Sequence, residues 1–269
     1  MLEIKDIYKT FNAGTVNEKA ALRGISLKLE DGDFCTVIGG NGAGKSTMLN
    51  AVAGTWPVDS GSIIIDDANG TPIDITRLPE YKRAKYIGRV FQDPRTGTAA
   101  TMEIQENLAL AKRRGMKRTL RSNLSKADRD EFIDMLKILD LGLENRLTAK
   151  VGLLSGGQRQ ALTLLMSTIQ KPRLLLLDEH TAALDPKTAA KVLDATEKIV
   201  KANNLTTLMI THNMRDAIEH GNRLIMMNEG RIILDIRGEE KKNLTVETLL
   251  HEFEKVSGFA FASDKALLG

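Results

Sequence analysis

Hydrophobic and polar positions alternate with a period of two along the first part of the chain, a pattern that predicts half-buried β-strands. The alternation covers residues 2–8 and 22–29, and the short apolar run Phe34–Ile38 follows it. Two later segments, 62–66 and 86–92, are also mainly apolar and are flanked by Gly or Pro. The N-terminal third is therefore predicted to consist mainly of strands.

Between residues 94 and 171 the apolar positions recur every three or four residues, which is typical of amphipathic helices. Helices are predicted over 103–115 and 126–141. Ser125 followed by Asp128 has the spacing of a capping pair at a helix start. This block is predicted to be a mostly helical subdomain inserted between strands.

Strands and helices then alternate to the end of the chain. Residues 174–177 and Thr206–Ile210 are continuous aliphatic runs suited to buried parallel strands. A helix is predicted over 186–202, a hairpin over 224–236 that turns at Glu229 and Gly230, and a last helix over 245–256. This alternation predicts an α/β fold with a parallel sheet.

Composition narrows the class of protein. With 269 residues, 42% of them hydrophobic, the chain can bury one large core. The single cysteine, Cys35, excludes an internal disulfide framework, and no apolar run approaches the roughly 18 residues of a membrane-spanning helix. The start of the chain lacks the apolar segment of a secretory signal. A cytosolic location is therefore predicted.

The net charge of +3 indicates little about partners, and no nucleic-acid partner is predicted. The charge is nevertheless uneven, because seven basic residues and no acidic one lie between Lys112 and Lys126. We interpret this stretch as a solvated helix face, with contact to anionic lipid as the alternative.

A glycine-rich loop after the strand Phe34–Ile38 matches the phosphate-binding pattern G-x-x-x-x-G-K-[ST]. Its residues are Gly39, Gly40, Asn41, Gly42, Ala43, Gly44, Lys45, Ser46 and Thr47. Glycines allow backbone N–H groups to surround a polyphosphate, Lys45 places a charge near its β and γ phosphates, and the Ser46 hydroxyl can bind Mg²⁺. A strand precedes the loop and a helical pattern follows it, as a nucleotide-binding P-loop requires.

Two carboxylates, Asp178 and Glu179, end the aliphatic strand 174–177. Asp178 is predicted to hold Mg²⁺, and Glu179 to orient or deprotonate the attacking water. Two acids after a strand are also common at an ordinary helix start. The P-loop in the same chain favours the catalytic interpretation.

Two further polar residues, His212 and Gln92, follow predicted strands. Ligands of open α/β sheets bind beyond the carboxyl ends of the strands, so both should face the crevice that contains the P-loop and Glu179. We predict that His212 senses the γ phosphate.

The pentapeptide Leu154-Ser155-Gly156-Gly157-Gln158, about twenty residues before Asp178, resembles the signature of ATP-binding-cassette (ABC) ATPases. The resemblance extends in order through the P-loop, Gln92, the signature, the two carboxylates, Ala183-Leu184-Asp185 and His212. It implies an α/β fold with a P-loop NTPase core of mixed and parallel sheet, an N-terminal antiparallel β subdomain and an inserted helical subdomain.

The resemblance also assigns roles and cofactors. Phe11, or alternatively Tyr8, would stack on adenine, although either could simply pack in the core. Gln92 would link Mg²⁺ and the attacking water to a transmembrane partner. ATP and Mg²⁺ are the implied cofactors, and the implied catalytic residues are Glu179, His212, Gln92 and Lys45. The implied metal ligands are Ser46, Gln92 and Asp178.

In this family two cassettes face head to tail, so Ser155, Gly156, Gly157 and Gln158 would contact the γ phosphate bound to a second copy. Asp185 would reach across the dimer to the opposite site. The predicted organisation is a single ABC ATPase domain of 269 residues. Its parts are a core of 1–93 and 172–245, the helical subdomain 94–171 with the signature, and a short helix and tail at 246–269.

The resemblance further implies transmembrane permease subunits as partners and, indirectly, an extracytoplasmic solute-binding protein. The chain would then sit in the cytoplasm, peripheral on the inner face of the cell membrane, as in prokaryotic importers. The subgroup it is most similar to has been linked to amino-acid uptake, including aromatic amino acids. His180 stands where the family commonly has Pro, and we assign it no role.

Two alternatives remain from the sequence. One is an ABC ATPase that acts without a membrane, as in iron–sulfur cluster assembly. The other is a P-loop kinase, which the signature at Ser155 argues against, because a kinase does not need to present a second γ-phosphate site in trans.

Overall fold

The computed structural model describes residues 1–116 and 124–257, and it confirms the predicted α/β class. The strands in this part are β1 (Leu2–Phe11), β2 (Lys19–Leu29), β3 (Phe34–Ile38), β4 (Ser60–Asp66), β5 (Pro72–Asp74), β6 (Ile87–Val90), β7 (Leu174–Asp178), β8 (Thr206–Ile210), β9 (Arg223–Asn228) and β10 (Arg231–Arg237). The helices are α1 (Lys45–Ala53), α2 (Glu80–Arg83), α3 (Ile104–Lys112), α4 (Lys126–Lys137), α5 (Gly156–Thr168), α6 (Pro186–Asn203), α7 (Met214–Glu219), α8 (Glu239–Lys242) and α9 (Val246–Ser257).

The strands form two sheets. An antiparallel sheet has the order β2-β1-β4-β5, and a six-stranded sheet has the order β10-β9-β3-β8-β7-β6. Within the second sheet, neighbouring strands from β9 to β6 are parallel and only β10 is antiparallel, to β9. The hairpin between β9 and β10 turns at Glu229 and Gly230, both with positive φ, as a two-residue turn of this kind requires.

The register of the parallel strands places four strand ends side by side. Val90 at the end of β6 pairs with Leu177, Asp178 at the end of β7 pairs with Ile210, and Ile210 also pairs with Val37 of β3. The segments that follow β3, β6, β7 and β8 therefore leave the sheet at one edge, where ligands of open α/β sheets bind.

In the described part of the chain, the two larger of three apolar cores lie on opposite faces of the six-stranded sheet. Leu174 and Leu176 pack with the antiparallel sheet and α1, whereas Leu175 and Leu177 pack with the helices of the 94–171 block and α6. Successive strand residues point to opposite faces, so a strand between two cores must be apolar at every position. The four-leucine run of β7 meets this requirement.

Three α-helices, α3, α4 and α5, occupy the block 94–171 within the described residues. The first two are shorter than the predicted helices 103–115 and 126–141. α3 and α4 both start at capping boxes, at Glu103 and at the predicted Ser125. Lys112 is within ion-pair distance of Asp128 and Glu131 of α4. Part of the predicted basic face is thus neutralised internally, while Lys117, Arg118 and Arg121 lie outside the residues that the structure describes.

The short helices α2, α7 and α8 and the strand β5 were not predicted, because a few residues carry too little periodicity to detect. Charged side chains tie some of them to the core. The fully buried Arg83 of α2 donates hydrogen bonds to the carbonyls of Ala51 and Val52 at the end of α1. In the described ranges no helix is both long and apolar enough to span a bilayer. The predicted tail beyond residue 257 lies outside those ranges.

Candidate active site

The loop from Gly39 to Thr47 connects β3 to α1, as the sequence predicts. Two of its glycines have no room for a side chain: a Cβ at Gly39 would lie 2.2 Å from the Met227 carbonyl oxygen, and one at Gly44 would lie 2.6 Å from that of Ala21. Both also have positive φ, of 147° and 100°. The backbone can follow this path only with glycine at these positions.

Lys45 lies at the start of α1 with 5% of its surface exposed. Its ammonium donates hydrogen bonds to the carbonyl oxygens of Gly39 at 2.7 Å and Gly40 at 3.1 Å. Burial lowers the pKa of Lys45, an effect that the negative charges of Glu179 and Asp178 oppose. The cation is therefore held at the loop, and a polyphosphate could replace the neutral carbonyls with stronger charge-assisted acceptors.

A cleft of about 360 Å³ opens over this loop. It is lined by Phe11, Lys19, Ala21, Asn41, Gly42, Ala43, Gly44, Lys45, Ser46, Thr47, Glu179 and His212. Of the two aromatic candidates, Phe11 lines the cleft and Tyr8 is not among these residues. The Phe11 ring is packed edge-to-face against Trp56 at 5.1 Å, which fixes its orientation.

The cleft also contains a cation that the sequence did not single out. Lys19 begins β2, and a Cβ at Gly42 would lie 3.6 Å from its ammonium nitrogen. Its position next to the loop depends on the pairing of β1 with β2, so no local motif could have indicated it.

Glu179 and His212 meet at the edge of the cleft, although 10% and 38% of their side chains remain exposed. His212 Nε2 lies 2.6 Å from Glu179 Oε1. The two residues follow β7 and β8, whose register brings them together. The predicted convergence of these strand ends is thus present, and the pair could hold and polarise a water molecule beside the loop.

Asp178, at the end of β7, is largely buried. Burial raises the pKa of Asp178, while the nearby Arg89 lowers it. Its carboxylate and the hydroxyl of Ser46 are oxygen donors, the ligand type that Mg²⁺ prefers. The donor chemistry therefore fits the predicted magnesium site, which would involve the first turn of α1 and the end of β7.

Arg89 is a residue of this site that the sequence analysis missed. Its guanidinium lies 3.3 Å from Asp178 Oδ2, donates to Asn50 Oδ1 at 2.9 Å, and stands over the Phe91 ring at 4.5 Å. The available signal was an arginine inside the otherwise apolar strand β6. Such a charge needs a partner when it is buried.

Gln92 follows β6 and is exposed, and it lines neither this cleft nor the larger one described next, as far as the structure describes the chain. The residue before it is anchored, because Gln160 of α5 donates a hydrogen bond to the Phe91 carbonyl at 2.9 Å. The structure therefore places Gln92 at the same sheet edge as predicted but does not bring it into contact with Glu179 or Ser46.

The signature residues and Asp185 lie close together, and none of them lines the P-loop cleft. Ser155 caps α5 in a capping box with Gln158, and Asp185 caps α6 by accepting a hydrogen bond from the Thr188 N–H. Gly157 packs so closely on Thr188 that a Cβ would lie 1.9 Å from its methyl carbon. Ser155 and Gly156 are exposed.

A second cleft, of about 860 Å³, shares Asn41, Glu179 and His212 with the first. It is also lined by Gly39 and Gly40 of the P-loop and extends along α6 past Leu184 and Pro186. Leu184 is also the nearest neighbour that a Cβ at Gly156 would meet, at 3.6 Å. The exposed signature thus lies next to a residue of the second cleft, which reaches from the P-loop to the start of α6, although no signature residue lines either cleft.

His180 is buried, although it follows the two carboxylates directly. Its Nε2 lies 3.2 Å from Thr196 Oγ1 of α6. Burial lowers the pKa of His180 to about 4, with a smaller contribution from His220, so the ring is neutral at pH 7. Its contact is with α6, and it is not among the residues that line either cleft.

Comparisons with known proteins identify the family of the chain. The family described as ABC transporter matches residues 22–182. The tyrosine transport ATP-binding protein of Clostridioides difficile (strain R20291) is 45% identical over 94% of this chain and 99% of its own length. An aliphatic sulfonates import ATP-binding protein of Albidiferax ferrireducens is 34% identical over 87% of this chain and 73% of its own.

The similar solved structures are also ATP-binding cassettes. A dimeric ATP-binding cassette in a post-hydrolysis state, bound to ADP and phosphate, has a TM-score of 0.73 and 27% identity, covering 88% of this chain and 98% of that one. A nucleotide-free cassette from an ABC transporter has a TM-score of 0.74 and 26% identity, covering 98% of this chain and 99% of the other.

Proposed function

The chain belongs to the ABC transporter family as an ATP-hydrolysing subunit, and from this premise we propose that it powers the uptake of an amino acid, tyrosine or a similar aromatic one, through a separate permease. The similarity to a tyrosine transport ATP-binding protein over 94% of the chain supports this solute class. The chain would act at the inner face of the membrane, and an extracytoplasmic binding protein would deliver the solute.

The observation that carries the catalytic proposal is the 2.6 Å contact between Glu179 and His212 beside the P-loop. Glu179 accepts a proton from the water that attacks the γ phosphorus, and the bond from that phosphorus to the bridging oxygen of ADP breaks. ADP and inorganic phosphate are the products. His212 orients the Glu179 carboxylate and contacts the γ phosphate.

The remaining residues of the cleft bind and position ATP. Phe11 stacks on the adenine, the backbone N–H groups of the loop surround the phosphates, and Lys45 moves from the Gly39 and Gly40 carbonyls to the β and γ phosphates. Ser46 and Asp178 would hold Mg²⁺, with Gln92 as a third contact. When bound, the ion would supply positive charge to the phosphates.

The signature acts in trans. Ser155 and Gly156 are exposed, and neither lines the chain's own P-loop cleft. A second copy would then be needed to complete each site. The start of α5 offers backbone N–H groups and a positive dipole end to the γ phosphate of that copy. Asp185 lies at the same face and contacts the opposite site. ATP would hold the dimer closed, and hydrolysis would loosen it.

Reconstitution tests the function. The chain is co-expressed with the products of its adjacent genes, and the membrane complex that it forms is placed in liposomes. Tyrosine and related amino acids are then tested one at a time for stimulation of ATP hydrolysis and for accumulation inside the vesicles. We expect stimulation by an aromatic amino acid and a loss of hydrolysis of roughly 10²–10⁴-fold in Glu179→Gln, because the water then lacks its base.

Two outcomes would contradict the proposal. Hydrolysis that no amino acid stimulates would reject the solute class. Failure of the chain to co-purify with any membrane protein, together with binding to cluster-assembly proteins, would instead favour an ABC ATPase that works without a permease.

A further inference from the structure

The two proposed magnesium ligands, Ser46 and Asp178, are joined by a chain of hydrogen bonds through Asn50 and Arg89. Asn50 Nδ2 donates to the Ser46 carbonyl at 2.7 Å, one helical turn earlier in α1. Asn50 Oδ1 accepts from Arg89 Nη2 at 2.9 Å. The same Nη2 lies 3.3 Å from Asp178 Oδ2. The amide nitrogen of Asn50 donates, its amide oxygen accepts, and the Arg89 guanidinium only donates, as the chemistry of these groups requires.

Arg89 is held from several sides. Its Nη1 donates to Thr55 Oγ1 at 3.1 Å, and its guanidinium stacks on the Phe91 ring. Only 13% of the Arg89 side chain and 16% of the Asp178 side chain are exposed, so the pair is weakly screened by water. A planar guanidinium fixed in this way restricts the position of the carboxylate oxygen that it contacts.

We propose that Arg89 is a positioning residue for the magnesium site. It fixes the Asp178 carboxylate, and through Asn50 it links that carboxylate to the first turn of the P-loop helix. The inference rests on the proposed function, since it takes Ser46 and Asp178 as the residues that hold the ion. It adds two residues, Arg89 and Asn50, that contact neither nucleotide nor metal in this assignment.

An opposite role for Arg89 can be separated by experiment. A guanidinium bound to Asp178 could merely compete with the ion, in which case its removal would strengthen metal binding. Asn50 distinguishes the two roles, because Asn50→Leu breaks the link between Arg89 and α1 and leaves the positive charge of Arg89 in place. If Arg89 positions Asp178, both variants should bind the metal ion more weakly. If Arg89 competes with the ion, Arg89→Met should bind the metal more tightly and Asn50→Leu should bind it as the wild type does.

The experiment measures the affinity of the purified chain for a non-hydrolysable ATP analogue, AMP-PNP, by titration calorimetry in excess MgCl₂ and again in EDTA. The ratio of the two affinities is the gain due to the metal. We expect this gain to fall ~10-fold in Arg89→Met, since partners of metal ligands typically change metal affinity by 10–100-fold. Asn50→Leu should also lower the affinity gain due to the metal, and Arg89→Lys should lower it by less than Arg89→Met. The affinity for AMP-PNP in EDTA should stay unchanged in all three variants.

Arg237→Met is the matched control, because Arg237 also contacts a carboxylate, Asp235 at 3.2 Å, but is exposed on β10. It should leave the gain unchanged. With Mn²⁺ in place of Mg²⁺, the electron paramagnetic resonance lines of the AMP-PNP complex should broaden in Arg89→Met, because the carboxylate then samples several positions. A loss of folding would not produce this signature, and binding in EDTA reports folding directly.

The positioning role would be overturned if the affinity gain due to the metal were larger in Arg89→Met than in the wild type. It would also be overturned if Arg89→Met and Asn50→Leu both showed the same gain as the control Arg237→Met. Asp178→Ala separates this result from a failure of the proposed function. If that variant keeps the full metal gain, Asp178 does not hold the ion and the proposed site itself is wrong. If it loses the gain while Arg89→Met keeps it, only the positioning inference fails.

Discussion

At the residue scale, the backbone conformation of Glu179 determines where its carboxylate lies. Glu179 has a φ of 47°, in the left-handed region that costs about 1–2 kcal/mol for a residue with a side chain. Its N–H donates to the Ile210 carbonyl at 3.0 Å, which ties the turn to β8. The sequence predicted which residue stands at this position, but the strained turn that points it toward His212 depends on the neighbouring strand.

His180, the next residue, was assigned no role from the sequence, and its burial predicts an effect of pH on stability. The unfolded chain protonates this histidine below an ordinary pKa of about 6.5. The native chain resists protonation down to about pH 4 because the ring is buried. The unfolded state therefore binds more protons between these values, and stability is lost as the pH falls through this window.

We expect His180→Leu to remove part of this pH dependence. Between pH 7 and pH 5 the wild-type free energy of unfolding should fall by about 2 kcal/mol more than that of the variant. Thr196 remains bonded in the variant, because its hydroxyl also donates to the Val192 carbonyl. Urea unfolding at the two pH values measures the difference.

The exposed histidine His251 supplies the control, since 75% of its side chain faces solvent. His251→Leu should leave the wild-type pH dependence intact. Equal pH dependence in wild type and His180→Leu would show that His180 is protonated as easily in the native chain as in the unfolded one.

At the element scale, the contact between α5 and α6 fixes where the signature stands. Gly157 in the first turn of α5 lies against Thr188 in the first turn of α6, and Asp185 caps α6 beside it. The sequence assigned Gly156 and Gly157 to the signature. It could not show that Gly157 is required by a neighbouring helix, since Thr188 is remote along the chain.

We therefore expect Gly157→Ala to lower the free energy of unfolding by about 2 kcal/mol, as overpacking of a close contact does. The new Cβ would lie 1.9 Å from the Thr188 methyl carbon, so one helix must move. Thermal or urea unfolding of the purified chain measures the change.

Thr188→Ser should rescue Gly157→Ala in the double variant, because serine lacks that methyl group. Gly156→Ala serves as the matched control, since its Cβ would have only an ordinary contact of 3.6 Å with Leu184. Equal stability of Gly156→Ala and Gly157→Ala would contradict the close packing of α5 on α6.

At the scale of the whole molecule, the P-loop cleft and the exposed signature belong to different parts of the chain. The cleft is lined by β1, β2, the loop to α1 and the ends of β7 and β8, whereas Ser155 stands at the start of α5. Under the proposed role of the signature in trans, one chain carries two half-sites, and ATP should therefore pair two copies.

We expect Glu179→Gln to elute as a dimer in size-exclusion chromatography with ATP and Mg²⁺, because it binds ATP but does not hydrolyse it. Adding Ser155→Arg should return it to the monomer, since a bulky cation at the start of α5 blocks the approach of the second copy and opposes the helix dipole. ATP affinity at dilutions where the chain is monomeric should not change.

Ala127→Arg in the Glu179→Gln background is the control, because Ala127 is exposed on α4 and adds the same charge elsewhere. This variant should still form the dimer. A dimer that persists with Ser155→Arg, or an equal loss of ATP affinity and pairing, would reject the role of the signature in trans.

The sequence by itself determined the α/β class, the order of the major strands and helices, and the residues of the P-loop, the two carboxylates and the signature. These features are local, because each can be recognised from residues that are consecutive in the chain.

The tertiary structure decided which distant side chains contact each other. Arg89 contacts Asp178, 89 positions away, because β6 and β7 pair in parallel. Glu179 contacts His212 because β7 and β8 also pair in parallel. Such contacts depend on strand register and helix packing, which bring distant segments together and leave no periodic pattern in the sequence.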